Sequence, residues 1–428
     1  MARFVVEGGN PLGGEFIPSG NKNEALPVLS ACLLTREEVH LENLPDIGDV
    51  RSMLQLLEEI GALVERIGPH EVKVKAQHIG ATSLPKDVAR GIRGSITLAA
   101  PLLARCGRTQ FPQPGGDRIG RRRIDSHLLG FQQMGVHCSA SADSFHLWCG
   151  QRLKGADILM DEASVTGTEN LVMAAALAEG QTIIRNAACE PSVQQLCRFL
   201  NTLGAQISGI GSNMLTINGV EDLEGGTHRI AADYVEIGSV IGLAAVTGSD
   251  LLIRDVPYED LRMILYQFGR LGIDVTCTDG ALHVPPGQSL EVRPDVLNGL
   301  VKIDDAPWPG FPADLTSIVV VIATQTKGYV MIFEKMYESR LFFVDRLIGM
   351  GANIILCDPH RAVIIGSTKL RGSVISSPDI RAGMALLIAA LCADGESVIQ
   401  NIEQIDRGYE KLDYRLRQLG ANIVRADD

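Results

Sequence analysis

Several features that mark other protein classes are missing from this chain of 428 residues. There is no surplus of positive charge: 39 Lys and Arg stand against 51 Asp and Glu, a formal charge of -12. That excludes a general nucleic-acid binder, which needs cations to displace counterions from phosphate. No apolar run reaches the roughly 18 residues of a membrane span, so no membrane insertion is expected. The opening Met1-Ala2-Arg3-Phe4-Val5-Val6 lacks the apolar core of a secretory signal. The nine cysteines are odd in number and scattered, with no Cys-x-x-Cys pair. Neither a disulfide framework nor a zinc site is expected; reduced thiols and a cytoplasmic location are. What remains is a soluble globular chain, 46% hydrophobic and 21% charged, too long for one ordinary core and therefore of two domains.

Against this acidic background one stretch stands out. Pro112 to His127 reads Pro-Gln-Pro-Gly-Gly-Asp-Arg-Ile-Gly-Arg-Arg-Arg-Ile-Asp-Ser-His, with Arg118, Arg121, Arg122 and Arg123 inside six residues. Pro114-Gly115-Gly116 predicts a mobile loop, since it suits neither a helix nor a central strand. Clustered cations are best held apart by a bound anion, and Asp117 sits at the tip as a candidate proton carrier. By itself, such a stretch reads first as a solvated basic turn, and the rest of the chain shifts that reading.

The rest of the chain is periodic. A bulky residue, glycine and a small or apolar residue recur at Gly61, Gly135, Gly204, Gly272, Gly351 and Gly420, spaced 68 to 79 residues apart. Each glycine follows a helical pattern and precedes an alternating one, the place where a helix needs a left-handed residue to end. Upstream of each lies a second helical run, apolar nearly all round and so expected to be buried: Asn23–Leu34, Ser95–Arg105, Glu169–Ala178, Glu236–Val246, Leu315–Thr324 and Arg381–Cys392. The reading is six α/β repeats of about 70 residues, three to a domain. The division falls near Gly225-Gly226, giving residues 22–228, with the loop 112–127, as one domain and residues 1–21 plus 229–428 as the other. The strand Phe4-Val5-Val6 is free to pair with the last repeat.

Helices inside and sheets outside, twice over, resemble the enolpyruvyltransferase family, whose fold is a two-domain inside-out α/β barrel. Motifs along the whole chain carry the resemblance. Ser19-Gly20-Asn21-Lys22-Asn23-Glu24-Ala25-Leu26-Pro27 resembles the branch whose acceptor is UDP-N-acetylglucosamine, not the shikimate branch, which lacks the Pro-Gly-Gly loop. Gly91-Ile92-Arg93-Gly94-Ser95, Met160 to Asn170 (with Glu162, Ser164 and Val165) and Ala188-Cys189-Glu190-Pro191 match further family segments. So do Ala306 to Asp314, Met336-Tyr337-Glu338-Ser339-Arg340, Asp379-Ile380-Arg381 and Ile405-Asp406-Arg407-Gly408-Tyr409-Glu410.

The resemblance implies transfer of the enolpyruvyl group of phosphoenolpyruvate to a sugar hydroxyl by addition and then elimination of phosphate, with no metal and no cofactor. It implies Asp314 as base, Asp117 as acid, Lys22, Arg122 and Arg407 on the phosphate, and Arg340 and Arg381 completing a cationic wall. Arginine forks suit both anionic groups of phosphoenolpyruvate. Substrate contacts are further expected from Asn23, Arg93, Arg122, Arg123, Ile124, Asp125, Ser126, Glu162, Ser164, Val165, Glu190, Met336 and Asp379. The oligomeric state is expected to be monomeric.

The chain departs from the family pattern in places. Asp117 stands where most members carry a cysteine, the residue that the epoxide fosfomycin alkylates, so resistance is implied. A carboxyl acting as acid must be protonated: nearby arginines oppose that, while bound anions and a dry site favour it. Arg123 replaces a proline in Arg122-Arg123-Ile124-Asp125-Ser126-His127, Glu162 a lysine and Tyr234 an arginine of some members. These changes lie at the nucleotide end. Two alternatives stay open: another nucleotide or nucleotide-sugar acceptor, or a non-catalytic paralogue that binds UDP-sugar.

Overall fold

A computed structural model describes residues 2–117 and 119–426; Arg118 lies outside the described residues. Two compact units form. One comprises Gly20–Gly116 and Arg122–Ala231; the other comprises Met1–Ser19, Asp117–Arg121 and Ala232–Asp428.

In the first unit three buried helices form the interior: α1 (Lys22–Ala31), α2 (Ala99–Cys106), led in by a 3-10 turn at Arg93–Leu98, and α3 (Val165–Ala176). The second unit repeats the plan with α4 (Tyr234–Thr247), α5 (Thr316–Gln325) and α6 (Ile380–Cys392). Their sequences explain their place. Tyr234 through Ala245 is buried at every residue, which a run rich in Val, Ile, Leu, Gly and Ala can sustain without stranding a polar group. The small residues set the spacing: a Cβ added to Gly242 would fall 2.9 Å from Ile318 of α5.

Among the described residues each unit carries three sheets around its helices. The recurrent sheet has a parallel edge pair, then two antiparallel strands; in three of these sheets a buried helix joins the parallel pair, and in two the partner comes from a distant part of the chain. Asp157–Leu159, Gln181–Arg185, Met214–Asn218 and Gln206–Ser208 form one. The loop-bearing sheet, Arg108–Pro112, Ser144–Trp148 and His137–Ala140, has three strands, and a single bridge between Ser83 and Gln110 stands where the parallel strand would lie. Side chains alternate along strands, so one face of each sheet covers the helices and the other faces solvent. All six repeat glycines have positive φ, between 81° and 107°, the backbone state that ends each outer helix and turns the chain into a strand.

Arg3–Glu7 pairs antiparallel with Glu396–Gln400 and Asn422–Ala426, supplying the strand that the sixth repeat would otherwise lack. Gly225-Gly226 is not the point of division. Gly226–Arg229 pairs in parallel with Val39–Glu42, which keeps it with the first unit and moves the boundary past Ala231. The loop also divides: Asp117 and Ile119–Arg121 group with the second unit, not with 22–228 as the repeat pattern suggests, because the hydrogen bonds of Asp117, Ile119 and Arg121 run there. Among the described residues no helix is long and apolar enough to cross a membrane.

Candidate active site

Asn21 caps α1, its Oδ1 accepting from the amides of Asn23 (2.8 Å) and Glu24 (3.4 Å). The cap makes the first turn of α1 rigid, but it also occupies amides that a helix start would otherwise offer to an anion alongside Lys22. Lys22 is itself engaged: its Nζ lies 2.7 Å from Asp49 Oδ2, and both side chains are nearly buried. Glu24 lies beneath, accepting from Ala231 N–H at 3.1 Å, with His228 Nε2 2.8 Å away; burial is the main cause of its raised pKa.

Arg93 anchors the return arm of the loop. Its Nη2 donates to the carbonyls of Arg122 (3.2 Å) and Arg123 (2.8 Å). The Pro-Gly-Gly segment passes so close that a Cβ on Gly115 would fall 1.7 Å from the Arg90 carbonyl. This is why glycine is needed there, a tighter reason than loop mobility. Arg123 pairs with Asp125 (2.9 Å) and Asp161 (3.2 Å), Ile124 is buried, and Asp125 opens the helix Asp125–Gln133.

His127 closes the basic stretch with no marked role in the sequence, yet it fixes this region. It is buried between Asn170 Nδ2, 2.8 Å from its Nδ1, and Thr166 Oγ1, 3.2 Å from its Nε2. Burial, then Arg93, push it down to about 3, so the neutral ring locks the loop's return helix to α3. That inner helix begins at Ser164, whose Oγ accepts from Gly167 N–H at 3.2 Å, with Glu162 and Val165 beside it. Glu190 occupies the N-cap position of the helix Pro191–Thr202 without a side-chain capping bond, and it raises the already burial-raised pKa of Glu169.

The second unit gathers the remaining candidates. Asp314 lies in the 3-10 turn that leads into α5. Its Oδ1 accepts from Arg340 Nη2 at 3.2 Å, and its Oδ2 from Arg381 Nε at 3.1 Å and Nη2 at 3.0 Å. Both arginines are 4% exposed. Arg381 also lies 5.4 Å from the ring centre of Tyr409, a cation–π contact. Nη1 of Arg381 and Nε of Arg340 are buried without a hydrogen-bond partner among the described residues. The two buried cations thus share Asp314, and Arg340 Nε also faces the buried Glu334 Oε2 at 3.7 Å; the donor left on Arg381 suits a bound anion. Asp379 caps α6, its Oδ1 accepting from the amides of Arg381 and Ala382, both at 2.9 Å. In this structure it positions Arg381's backbone. Asp117 Oδ1 accepts from Arg407 Nη1 at 2.7 Å, and the same nitrogen donates to Gln404 Oε1 at 2.9 Å.

Two further carboxylates carry no sequence signal. Glu334 and Asp305 are buried and grip consecutive amides: Glu334 Oε1 accepts from Met336 (3.2 Å) and Tyr337 (3.0 Å), Asp305 from Lys335 and Met336. They set the turn that presents Met336 and Arg340. No local motif announces them, because their partners are backbone amides and a distant carboxylate. Burial, then Asp305, push Glu334 up to about 8 from 4.5. A raised carboxyl favours folding below its unfolded pKa, and that contribution is lost as pH rises towards the folded value. Glu334→Gln is therefore expected to match the parent near pH 4.5 and to gain on it up to pH 8, by on the order of 10 °C in Tm. Parallel melting curves across that range would refute the assignment.

Among the described residues no group of three His, Cys, Asp or Glu side chains could hold a metal. All nine cysteines are free.

The model of the EPSP synthase (3-phosphoshikimate 1-carboxyvinyltransferase) family matches residues 6–416. The chain is 53% identical over 423 residues to a UDP-N-acetylglucosamine 1-carboxyvinyltransferase of Treponema denticola, covering 99% of both. It is 50% identical over 434 residues to one of Bacteroides thetaiotaomicron, covering 99% of this chain and 100% of that one. The solved enolpyruvyl transferase NikO of Streptomyces tendae superposes with a TM-score of 0.88 over 99% of each chain at 23% identity, which establishes the shared inside-out α/β fold. With the fold, the six repeats and the full-length identity in agreement, the chain belongs to the EPSP synthase family, the carboxyvinyl or enolpyruvyl transferases.

Proposed function

We propose that this enzyme transfers the enolpyruvyl group of phosphoenolpyruvate to the 3-hydroxyl of UDP-N-acetylglucosamine with release of phosphate, the first committed step of peptidoglycan synthesis. The observation that carries the acceptor is identity of 50% or more, over the full length, to relatives that bear that activity in their names; the fold alone is shared with a transferase at 23%.

The geometry supports the chemistry. Asp314, held by Arg340 and Arg381, brings the several lone pairs of a carboxylate and acts as base on the attacking hydroxyl. Asp117 delivers a proton to carbon 3 as the oxygen adds to carbon 2. Loss of a proton from carbon 3 and departure of phosphate then restore the double bond. Lys22, Arg122 and Arg407 hold the phosphate, and Arg340 and Arg381, the latter with its buried Nη1 unmet among the described residues, take the remaining negative charge. Asn23, Arg93, Arg123, Ile124, Asp125, Ser126, Glu162, Ser164, Val165, Glu190, Met336 and Asp379 serve the substrates, several of them through the backbone they hold. The enzyme is proposed to act in the cytoplasm as a monomer.

Phosphate release from phosphoenolpyruvate with a panel of acceptors tests the reading. UDP-N-acetylglucosamine should give the highest kcat/KM, by about 10²-fold over other nucleotide sugars, because a buried polar site left unpaired by the wrong acceptor is penalised. Preference for another nucleotide would follow instead from the acidic partners of Arg123 and would reassign the acceptor. Silence with every acceptor would leave only a binding protein.

A further inference from the structure

The tip of the Pro-Gly-Gly loop rests on the turn that carries Arg340. Ser339 N–H donates to the Ile119 carbonyl at 3.0 Å. Arg121 N–H donates to Glu338 Oε2 at 3.1 Å. Between these two bonds lies Gly120, with φ of 134°; a Cβ there would fall 2.2 Å from Glu338 Oε2 and 3.0 Å from the Glu338 backbone nitrogen. The seat is fixed from below, because the amides of Lys335, Met336 and Tyr337 are held by the buried Asp305 and Glu334. A few residues along the same loop, Asp117 meets Arg407.

We propose that Glu338 is a positioning residue for Asp117: its carboxylate and the Ser339 amide clamp Ile119–Arg121, so that Asp117 is presented on Arg407. The inference rests on Asp117 being the acid of the proposed reaction. Three observations carry it. Both clamp bonds use loop backbone, so they locate the tip independently of the loop's side chains. Gly120 is the residue that the clamp's close approach and backbone conformation require. Glu338 is an exposed side chain, yet its own amide and then that of Arg121 hold it below the usual carboxylate range, as expected of a carboxylate accepting from fixed N–H groups. An acid misplaced by an ångström loses rate and not affinity, so the clamp's signature is a kcat effect.

The test uses the full chain and the variants Glu338→Ala, Glu338→Gln and Gly120→Ala. Steady-state kinetics with phosphoenolpyruvate and UDP-N-acetylglucosamine are read beside hydrogen exchange of the peptides spanning 119–123 and 338–341. Glu338→Ala should lower kcat about 10-fold with each KM within about twofold, and both peptides should exchange faster. Glu338→Gln retains an accepting oxygen and should recover most of kcat and protection. Gly120→Ala should lose more than Glu338→Ala in both readouts. Unchanged exchange in Glu338→Ala, or equal losses in the Ala and Gln variants with the loop still protected, would overturn the clamp. If the parent protein releases no phosphate with any acceptor, the proposed function fails, while the exchange data still decide whether Glu338 holds the tip.

Discussion

Arg407→Ala is expected to lower phosphate release on the order of 10³-fold while leaving the unfolding temperature within about 2 °C. Arg407 is partly exposed, with 20% of its side chain accessible, and its guanidinium reaches Asp117 and Gln404, not the core. Its removal costs an anion-holding cation and the orientation of the acid together. Lys22→Ala should abolish turnover too, but with a different stability outcome. Lys22 lies 2.7 Å from Asp49, a carboxylate whose side chain is 4% exposed. Withdrawing the cation beside a buried charge costs about 3–5 kcal/mol, so this variant should melt visibly lower. The buried Lys22–Asp49 pair is what separates the two variants. Parallel activity and melting measurements decide it. Near-normal turnover in Arg407→Ala would remove that residue from the site, and an unshifted Tm in Lys22→Ala would show that Asp49 is better solvated than its burial indicates.

Fosfomycin should leave the unmodified enzyme active. In family members with a loop cysteine the epoxide is opened by a thiolate, a strong and soft nucleophile. Here the loop position is Asp117, whose Oδ1 is already engaged by Arg407 at 2.7 Å, and no cysteine lies between Pro112 and His127. The exposed thiols, Cys277 and Cys357, lie on other segments of the chain. No time-dependent loss of activity and no stoichiometric adduct by mass spectrometry are expected. Asp117→Cys should restore inactivation at the loop. It should also move the pH profile, since a thiol of ordinary pKa about 8.5 stays protonated at neutral pH. Rapid inactivation of the parent, or an active Asp117→Cys enzyme that is never labelled, would show that another residue occupies the acid position.

What the sequence determined by itself was the part governed by local periodicity. The six buried helices, their glycine-terminated outer partners and the strands that follow are set by apolar spacing and by one backbone state, both readable over a dozen residues. The place of Arg3–Glu7 in the last sheet was legible for the same reason, as a strand without a neighbour of its own. The motifs named the reactive residues, and with them the family. The tertiary structure decided their partners. Asp49 under Lys22, Asn170 and Thr166 around His127, and Asp305 with Glu334 beneath the Met336 turn are brought in from 25 to 45 residues away or hold backbone amides, so no spacing rule marks them. The same holds for residues expected at the substrate that also support the fold. Arg93 carries the carbonyls of Arg122 and Arg123, and Asp379 caps α6. The boundary at Ala231 was displaced from Gly225-Gly226 by a parallel strand pairing of high sequence separation. Local propensity acts over one or two turns of chain, whereas a buried charge takes whichever counter-group the packed fold places within about 3 Å. That is why the reaction's residues were readable one by one, and why the groups that orient them became visible only after folding.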